Sequence, residues 1–190
     1  LRNTVQFPGV VSPITAGRDK SIKLVQDAQK GKKLFGVVAQ KNAETESPEA
    51  EDLHTVGTLV QMVKSFRMPD GNITAILQGK RRFRILEVTA TEPYLRAKVE
   101  YLEEQKLPDD TEFKALIQHI REMALDIIQD SPNIPTEAQI AVKNIESDTF
   151  LIHFIASNMS LDVEKKQAIL EEEDLKKRTN AVHKHLSYEK

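Results

Sequence analysis

Between Phe113 and Ile128 apolar side chains return every three or four residues, at Phe113, Leu116, Ile117, Ile120, Ala124, Ile127 and Ile128. That spacing lays one apolar stripe along an amphipathic helix of about four turns. Asp109 to Thr111 can cap its start, and Pro132 marks its end. Thr136 followed by Gln139 fits a capping box after Pro135, leading into a short helix with Ile140, Val142 and Ile145. Ser147 or Asp148 can cap the next helix, which places Phe150, Leu151, Phe154 and Ile155 on one face. Asp162 introduces a further helix with Val163, Gln167 and Leu170. After Glu171 only Leu175, Val182 and Leu186 continue an apolar stripe. So thin a stripe predicts a terminal helix that leaves the domain as a stalk or pairs with a partner. The acidic run Glu171 to Asp174 reads as its N-terminal turn, where the helix dipole favours negative charge.

The preceding residues follow a different rhythm. Val10 to Ile14, Leu34 to Ala39, His54 to Phe66, Ile73 to Gln78 and Tyr94 to Tyr101 are short apolar or alternating runs, the pattern of strands. Phe83, Ile85 and Val88 prolong the fourth. Met68-Pro69-Asp70-Gly71-Asn72 supplies the turn of a hairpin, and Phe7-Pro8-Gly9 separates an opening strand from the next. One helix interrupts: Ile22, Val25 and Ala28 share a face, Gly31 suits the C′ position, and Lys30, Lys32 and Lys33 suit its negative end. Residues 42–52, with five acids, read as a solvated loop.

The chain therefore divides into a β-rich part, 1–105, and a helical part, 106–190. Charge divides with it. The 190 residues carry a net charge of −2, which resolves into 16 basic and 13 acidic residues in the first part and 11 and 16 in the second. With 39% hydrophobic residues there is enough apolar surface for a packed core. No apolar run approaches the roughly 20 residues of a membrane span. The absence of cysteine excludes disulfides and thiolate metal sites. The seven glycines form neither a GxGxxG loop nor a P-loop, and there is no GxSxG elbow. Leu1-Arg2-Asn3-Thr4 carries no initiating Met and no basic-then-apolar leader, as expected of a trimmed piece of a longer chain.

Little catalytic chemistry stands out. His54, His119, His153, His183 and His185 show no metal-ligand spacing and are read as packing or surface residues. Ser187 and Lys190 match an SxxK spacing, but at a polar chain end nothing would desolvate the lysine, so the match is read as chance. Lys80-Arg81-Arg82-Phe83-Arg84 is the one dense basic cluster. Strand alternation puts Arg82 and Arg84 on one side and Arg81, Phe83 and Ile85 on the other. The plain reading is a solvated strand face with Phe83 in the core. The alternative is a nucleic-acid-binding module in which Lys80, Arg81, Arg82 and Arg84 neutralise phosphates. The overall acidic balance argues against it.

Several short segments, in order, resemble one family. Leu1 to Val5 with Phe7-Pro8-Gly9, Pro13-Ile14, and Gly17-Arg18-Asp19-Lys20-Ser21-Ile22 open the series. Val38-Ala39-Gln40-Lys41, Val56-Gly57-Thr58, Met68-Pro69-Asp70-Gly71, and Gly79 with Arg82 follow. Asn144-Ile145, Ile155 to Asn158 and Lys166 to Glu171 complete it. Together they resemble the N-terminal domain of Lon, the ATP-dependent serine protease, across essentially the whole chain. Two positions depart: Gln78 stands where the family has glutamate before the glycine, and an expected aspartate is missing around Phe150 to His153.

The resemblance implies an α+β fold, a PUA-like β pseudo-barrel followed by a helical bundle that ends in a long helix. It implies recognition of unfolded or degron-bearing proteins and support of a homohexamer, through a parent chain carrying an AAA+ module and a Ser-Lys protease domain. ATP and Mg would belong to that parent; no cofactor, metal or catalytic residue is expected in these residues, and no membrane partner. The setting it implies is the bacterial cytoplasm. Arg18, Asp19 and Lys20, a charged triplet at a helix start, become candidates for inter-subunit or inter-domain contact, with local capping as the plain alternative.

Overall fold

The turn at Asp70-Gly71 organises the first half. Gly71 takes φ +90°, its N–H donates to the Met68 carbonyl at 3.0 Å, and the Asp70 carboxylate accepts the Asn72 N–H at 3.0 Å. The flanking residues pair as the longest hairpin of the protein, β3 (Val56–Arg67) and β4 (Ile73–Ala90). In this computed structural model, which describes residues 1–106 and 109–189, β1 (Val11–Ala16) pairs with β4, β2 (Leu34–Val37) with β3, and β5 (Arg96–Tyr101) with β4. All pairings are antiparallel, and β1-β4-β3-β2 is the sheet order. One face of this sheet, with Val60, Met62, Ile73, Ala75, Leu77, Phe35 and Val37, buries against Val25 and Ala28 of α1 (Asp19–Lys30).

The helical half is α2 (Thr111–Asp130), α3 (Thr136–Asn144), α4 (Asp148–Asn158), α5 (Val163–Glu171) and α6 (Leu175–Glu189). The side chains of Asp110, Ser147, Asp162 and Asp174 accept the first-turn N–H groups of Phe113, Phe150, Lys165 and Lys177. These caps satisfy donors that a helix leaves unpaired. The helical core continues into the β half: Val5, Phe7, Val10, Ala39, Val56 and Leu102 join Ile117, Ile120, Leu151, Ile152 and Leu170 in one cluster.

Four expectations change. The terminal helix is no stalk. Leu175, Val182 and Leu186 are at most 2% exposed, because α6 packs on α2, α4 and α5. Its stripe looked thin because Arg178 and Thr179, both fully buried, lie on it and are polar. The capping box at Thr136 does not form; Thr136 is the first helical residue and Pro135 precedes it with no side-chain cap. Gly31 ends α1 at φ −113°, and the left-handed residue of that turn is Lys33, at φ 62°. The residues before Phe7 form no strand; Val5, Gln6 and Phe7 are buried in extended packing instead. Lys190, the lysine of the SxxK match, lies outside the described residues.

Candidate functional site

The basic strand at Lys80–Arg84 lies where the two halves meet, and that position decides what its cations can do. Lys80 is the extra residue of a bulge: Val60 pairs with Gly79 and Leu59 with Arg81. Past the bulge, Arg82 and Arg84 turn towards the helices. Arg82 is 1% exposed, which overturns the solvated-strand reading. Its Nε donates to Glu104 Oε1 at 3.0 Å, and its Nη1 to the carbonyl oxygens of Leu170 (2.9 Å) and Glu172 (3.3 Å). Arg84 donates to Glu173 at 2.8 Å. Arg81 instead lies over the Tyr101 ring, 4.5 Å from its centroid. Two of the four cations proposed for phosphate contact thus have partners within the chain, Arg82 buried and Arg84 in an ion pair that stays 41% exposed.

A second buried guanidinium completes the junction. Arg178 of α6 donates to the other oxygen of Glu104 at 3.1 Å and, through Nε and Nη2, to the Glu172 carbonyl at 3.0 and 2.6 Å. Its Nη1 also lies 3.2 Å from His153 Nε2. A guanidinium can only donate, so His153 accepts there and carries its proton on Nδ1, bonded to the Pro8 backbone. Burial, and then Arg178, push the imidazole down to about 4, so it is neutral near pH 7. Burial raises the Glu104 carboxyl, but Arg178 and Arg82 together outweigh that and hold it below the usual carboxylate range. One carboxylate and two backbone carbonyls thus satisfy two buried cations. This arrangement ties β4, α4, α5 and α6 together and has no exposed nucleophile or acid–base pair. Among the described residues no group of three or more His, Asp or Glu could hold a metal.

Sequence reasoning missed Glu104 and Arg178, and named His153 only as a packing or surface residue. A signal existed: Arg178 follows Leu175 by three and precedes Val182 by four, squarely on the apolar stripe of α6.

The charged triplet Arg18, Asp19 and Lys20 sits at the start of α1 and works within the chain. Arg18 is the N-cap residue, and its side chain donates to the Thr45 carbonyl at 3.3 Å, as does Gln40 at 3.0 Å. Together they pin the acidic 42–52 loop. Asp19 occupies the first turn, where the dipole favours it. Lys20 pairs with Glu92 at 3.0 Å and donates to the Thr91 carbonyl, fastening the β4–β5 turn to α1.

The other face of the sheet carries what the charged residues do not. Register places Val11, Gln78, Gln61 and Leu34 in one cross-strand row, Pro13, Ile76 and Lys64 in the next, and Thr15, Thr74 and Phe66 in a third. A second bulge, between Met62 and Lys64, adds Val63 to this side. Val63 is 58% exposed, Val11 56%, Phe66 45% and Leu34 43%. These side chains form an exposed, partly apolar surface in which Gln78 and Gln61 separate Val11 from Leu34 and the Lys64 ammonium stands 5.2 Å from the Phe66 ring centroid. Large apolar groups displayed together on a polar surface mark interaction sites.

Residues 1–188 match the family described as the ATP-dependent protease La (LON) substrate-binding domain. The Lon protease of Flavobacterium johnsoniae is 51% identical over the whole of this chain, and that of Cytophaga hutchinsonii 48% identical over 92% of it. The chain spans only 23% and 22% of those two proteins' lengths. Among solved structures, the N-terminal domain of a Mycobacterium avium complex Lon protease superposes with a TM-score of 0.77 at 23% identity. It covers 98% of this chain and 95% of its own. A Lon N-terminal domain protein from Xanthomonas campestris gives 0.66 at 17%, covering 99% of this chain and 94% of its own. At those identities the likeness concerns the fold. No helix among the described residues is long and apolar enough to cross a membrane.

Proposed function

The chain belongs to the Lon substrate-binding-domain family, and on that premise we propose that it holds unfolded or degron-bearing proteins for a Lon-type ATP-dependent protease. The observation that carries this reading is the uncovered sheet face with Val11, Val63, Phe66 and Leu34. Misfolded clients expose apolar groups of the same kind, and burying them against this face releases the water around both. The surface sits on paired strands rather than on a loop, so little order is lost when a client docks.

In this reading the domain supplies tethering and the remainder of the parent enzyme supplies chemistry. ATP, Mg and the Ser-Lys protease belong to that remainder, and no reaction step is assigned to these 190 residues. Six copies in a homohexamer in the bacterial cytoplasm would turn a weak contact into a firm one by raising the local concentration of client.

The test is binding of a reduced, carboxymethylated protein to the wild-type chain and to Val63→Ser/Phe66→Ser. Affinity should fall at least fivefold while stability changes by no more than about 0.5 kcal/mol per exposed site. Unchanged affinity at both positions would overturn the assignment to this face.

A further inference from the structure

Next to the open face lies a groove that none of these roles uses. It is a shallow depression open to solvent, between the end of α1, the free edge of β2 and the start of β5, of about 430 Å³. Leu24, Leu34 and Tyr94 form its apolar wall, and Lys30, Lys32 and Arg96 stand around it. The lining carboxylate, Asp27, is already occupied. It accepts the Tyr94 hydroxyl at 3.0 Å and pairs with Lys23 at 3.4 Å. The Tyr94 bond first, with Lys23 assisting against the effect of burial, holds its carboxyl below the usual range. Lys30 and Lys32 have no ion-pair partner among the described residues. Arg96 is held in place: its guanidinium lies 5.4 Å from the Tyr94 ring centroid and donates to the Tyr94 hydroxyl at 3.3 Å. The groove therefore presents three cations beside a small apolar patch, and its one carboxylate, Asp27, is ionised and already paired with Lys23.

We propose that this groove takes an acidic, extended peptide segment. An apolar side chain of the segment rests on Leu24 and the edge of Leu34, and flanking Asp or Glu carboxylates meet Lys30, Lys32 and Arg96. The two surfaces meet at the β2 edge, where Leu34 borders the groove and ends the Val11–Gln78–Gln61 row of the opposite face. The inference rests on the reading that the domain holds unfolded proteins, and it names the kind of segment held most firmly. A neutral apolar stretch engages the open face alone; one flanked by acids engages both.

Three labelled peptides with one apolar core and Glu, Gln or Lys flanks test this by fluorescence anisotropy on the whole 190-residue chain. The Glu-flanked peptide should bind about tenfold more tightly than the Gln-flanked one at low salt, with the advantage shrinking to about twofold at high salt. Lys30→Glu/Lys32→Glu should abolish the advantage, and Lys30→Arg/Lys32→Arg should keep it. Both positions are exposed, so neither variant threatens the fold. Equal affinity for Glu- and Lys-flanked peptides, or a preference that survives Lys30→Glu/Lys32→Glu, overturns the groove. If the Gln-flanked peptide binds and no acidic preference appears, only the groove falls. If the Glu-flanked peptide binds through Lys30 and Lys32 while the Gln-flanked one does not bind, the groove stands and the open-face reading falls. If none of the three binds, both fall.

Discussion

Arg82 donates to the carbonyl oxygen of Leu170 at 2.9 Å, joining β4 to the last turn of α5 across 88 positions of the chain. The bond is buried, so losing the donor leaves the Leu170 carbonyl without a partner, whereas Glu104, 38% exposed, keeps Arg178 and reaches water. Arg82→Met should therefore cost about 1–3 kcal/mol in urea unfolding. Arg178→Met should cost a similar amount. The double variant should cost less than the two together, because both act through Glu104. Strict additivity would show that the two cations are not one unit.

The neutral, buried imidazole of His153 makes stability depend on pH. Its folded pKa is about 4 against an ordinary 6.5. The unfolded chain therefore binds the extra proton first, and between those values stability rises with pH. Its contribution is complete above pH 6.5 and is lost progressively as pH falls to about 4, up to about 3 kcal/mol. Glu104, whose carboxyl is also held low, weakens the fold in the same direction at the acid end. Urea midpoints of the wild type and His153→Gln across this range provide the check. The variant should be less stable at pH 7 and should lose the slope between pH 4 and 6.5. An equal slope in both would place the proton uptake elsewhere.

Two glycines separate steric need from conformational need. A Cβ on Gly79 would lie 2.3 Å from the Phe7 carbonyl oxygen, a contact with backbone that cannot swing aside. The same segment is fastened by Gly9 N–H to the Gly79 carbonyl at 2.9 Å and Gly79 N–H to the Val10 carbonyl at 3.0 Å. Gly79→Ala should then cost about 3 kcal/mol or more by forcing the Phe7 segment off the sheet. Gly71 has nothing within 4 Å of an added Cβ, and only its φ of +90° resists substitution. Gly71→Ala should cost about 1–2 kcal/mol. Thermal unfolding of the pair checks the order, and a larger loss at Gly71 would reverse the argument.

Helix periodicity, strand alternation and the Asp70-Gly71 turn were legible because each depends on neighbours a few residues away. The caps fall among the residues that pattern offered, Asp110 within 109–111, Ser147 rather than Asp148, and Asp162, and α2 runs where its stripe placed it. The junction was not legible. Arg82, Glu104, His153 and Arg178 satisfy one another over separations of 22 to 74 residues, and apart from the place of Arg178 on the α6 stripe nothing near each in the sequence points to its partners. Buried cations break the rule that polar side chains face water, so a pattern of apolar positions passes over them. The open sheet face was hidden for the opposite reason. Val63 and Phe66 are apolar, and nothing local distinguishes them from Val60 and Met62, which are buried. The bulge at Val63 sets which side chains face out, and a strand's own sequence does not announce it.

The packing of α6 gives the sharpest contrast with the stalk reading. A helix that left the domain would tolerate truncation of its apolar residues. Instead Leu175 is 1% exposed and Leu186 2%, both within the main core. Thr179 returns its hydroxyl to the Leu175 carbonyl at 2.7 Å, so the polar residue on the stripe is satisfied internally. Leu175→Ala and Leu186→Ala should each cost about 2–5 kcal/mol, the range for a buried leucine whose cavity cannot fully collapse. Lys184→Ala, on the exposed side of the same helix, should fall within about 0.5 kcal/mol of wild type. Urea unfolding of the three variants decides the matter. Losses below about 1 kcal/mol at both leucines would return α6 to the stalk reading and separate it from the core that Arg178 anchors.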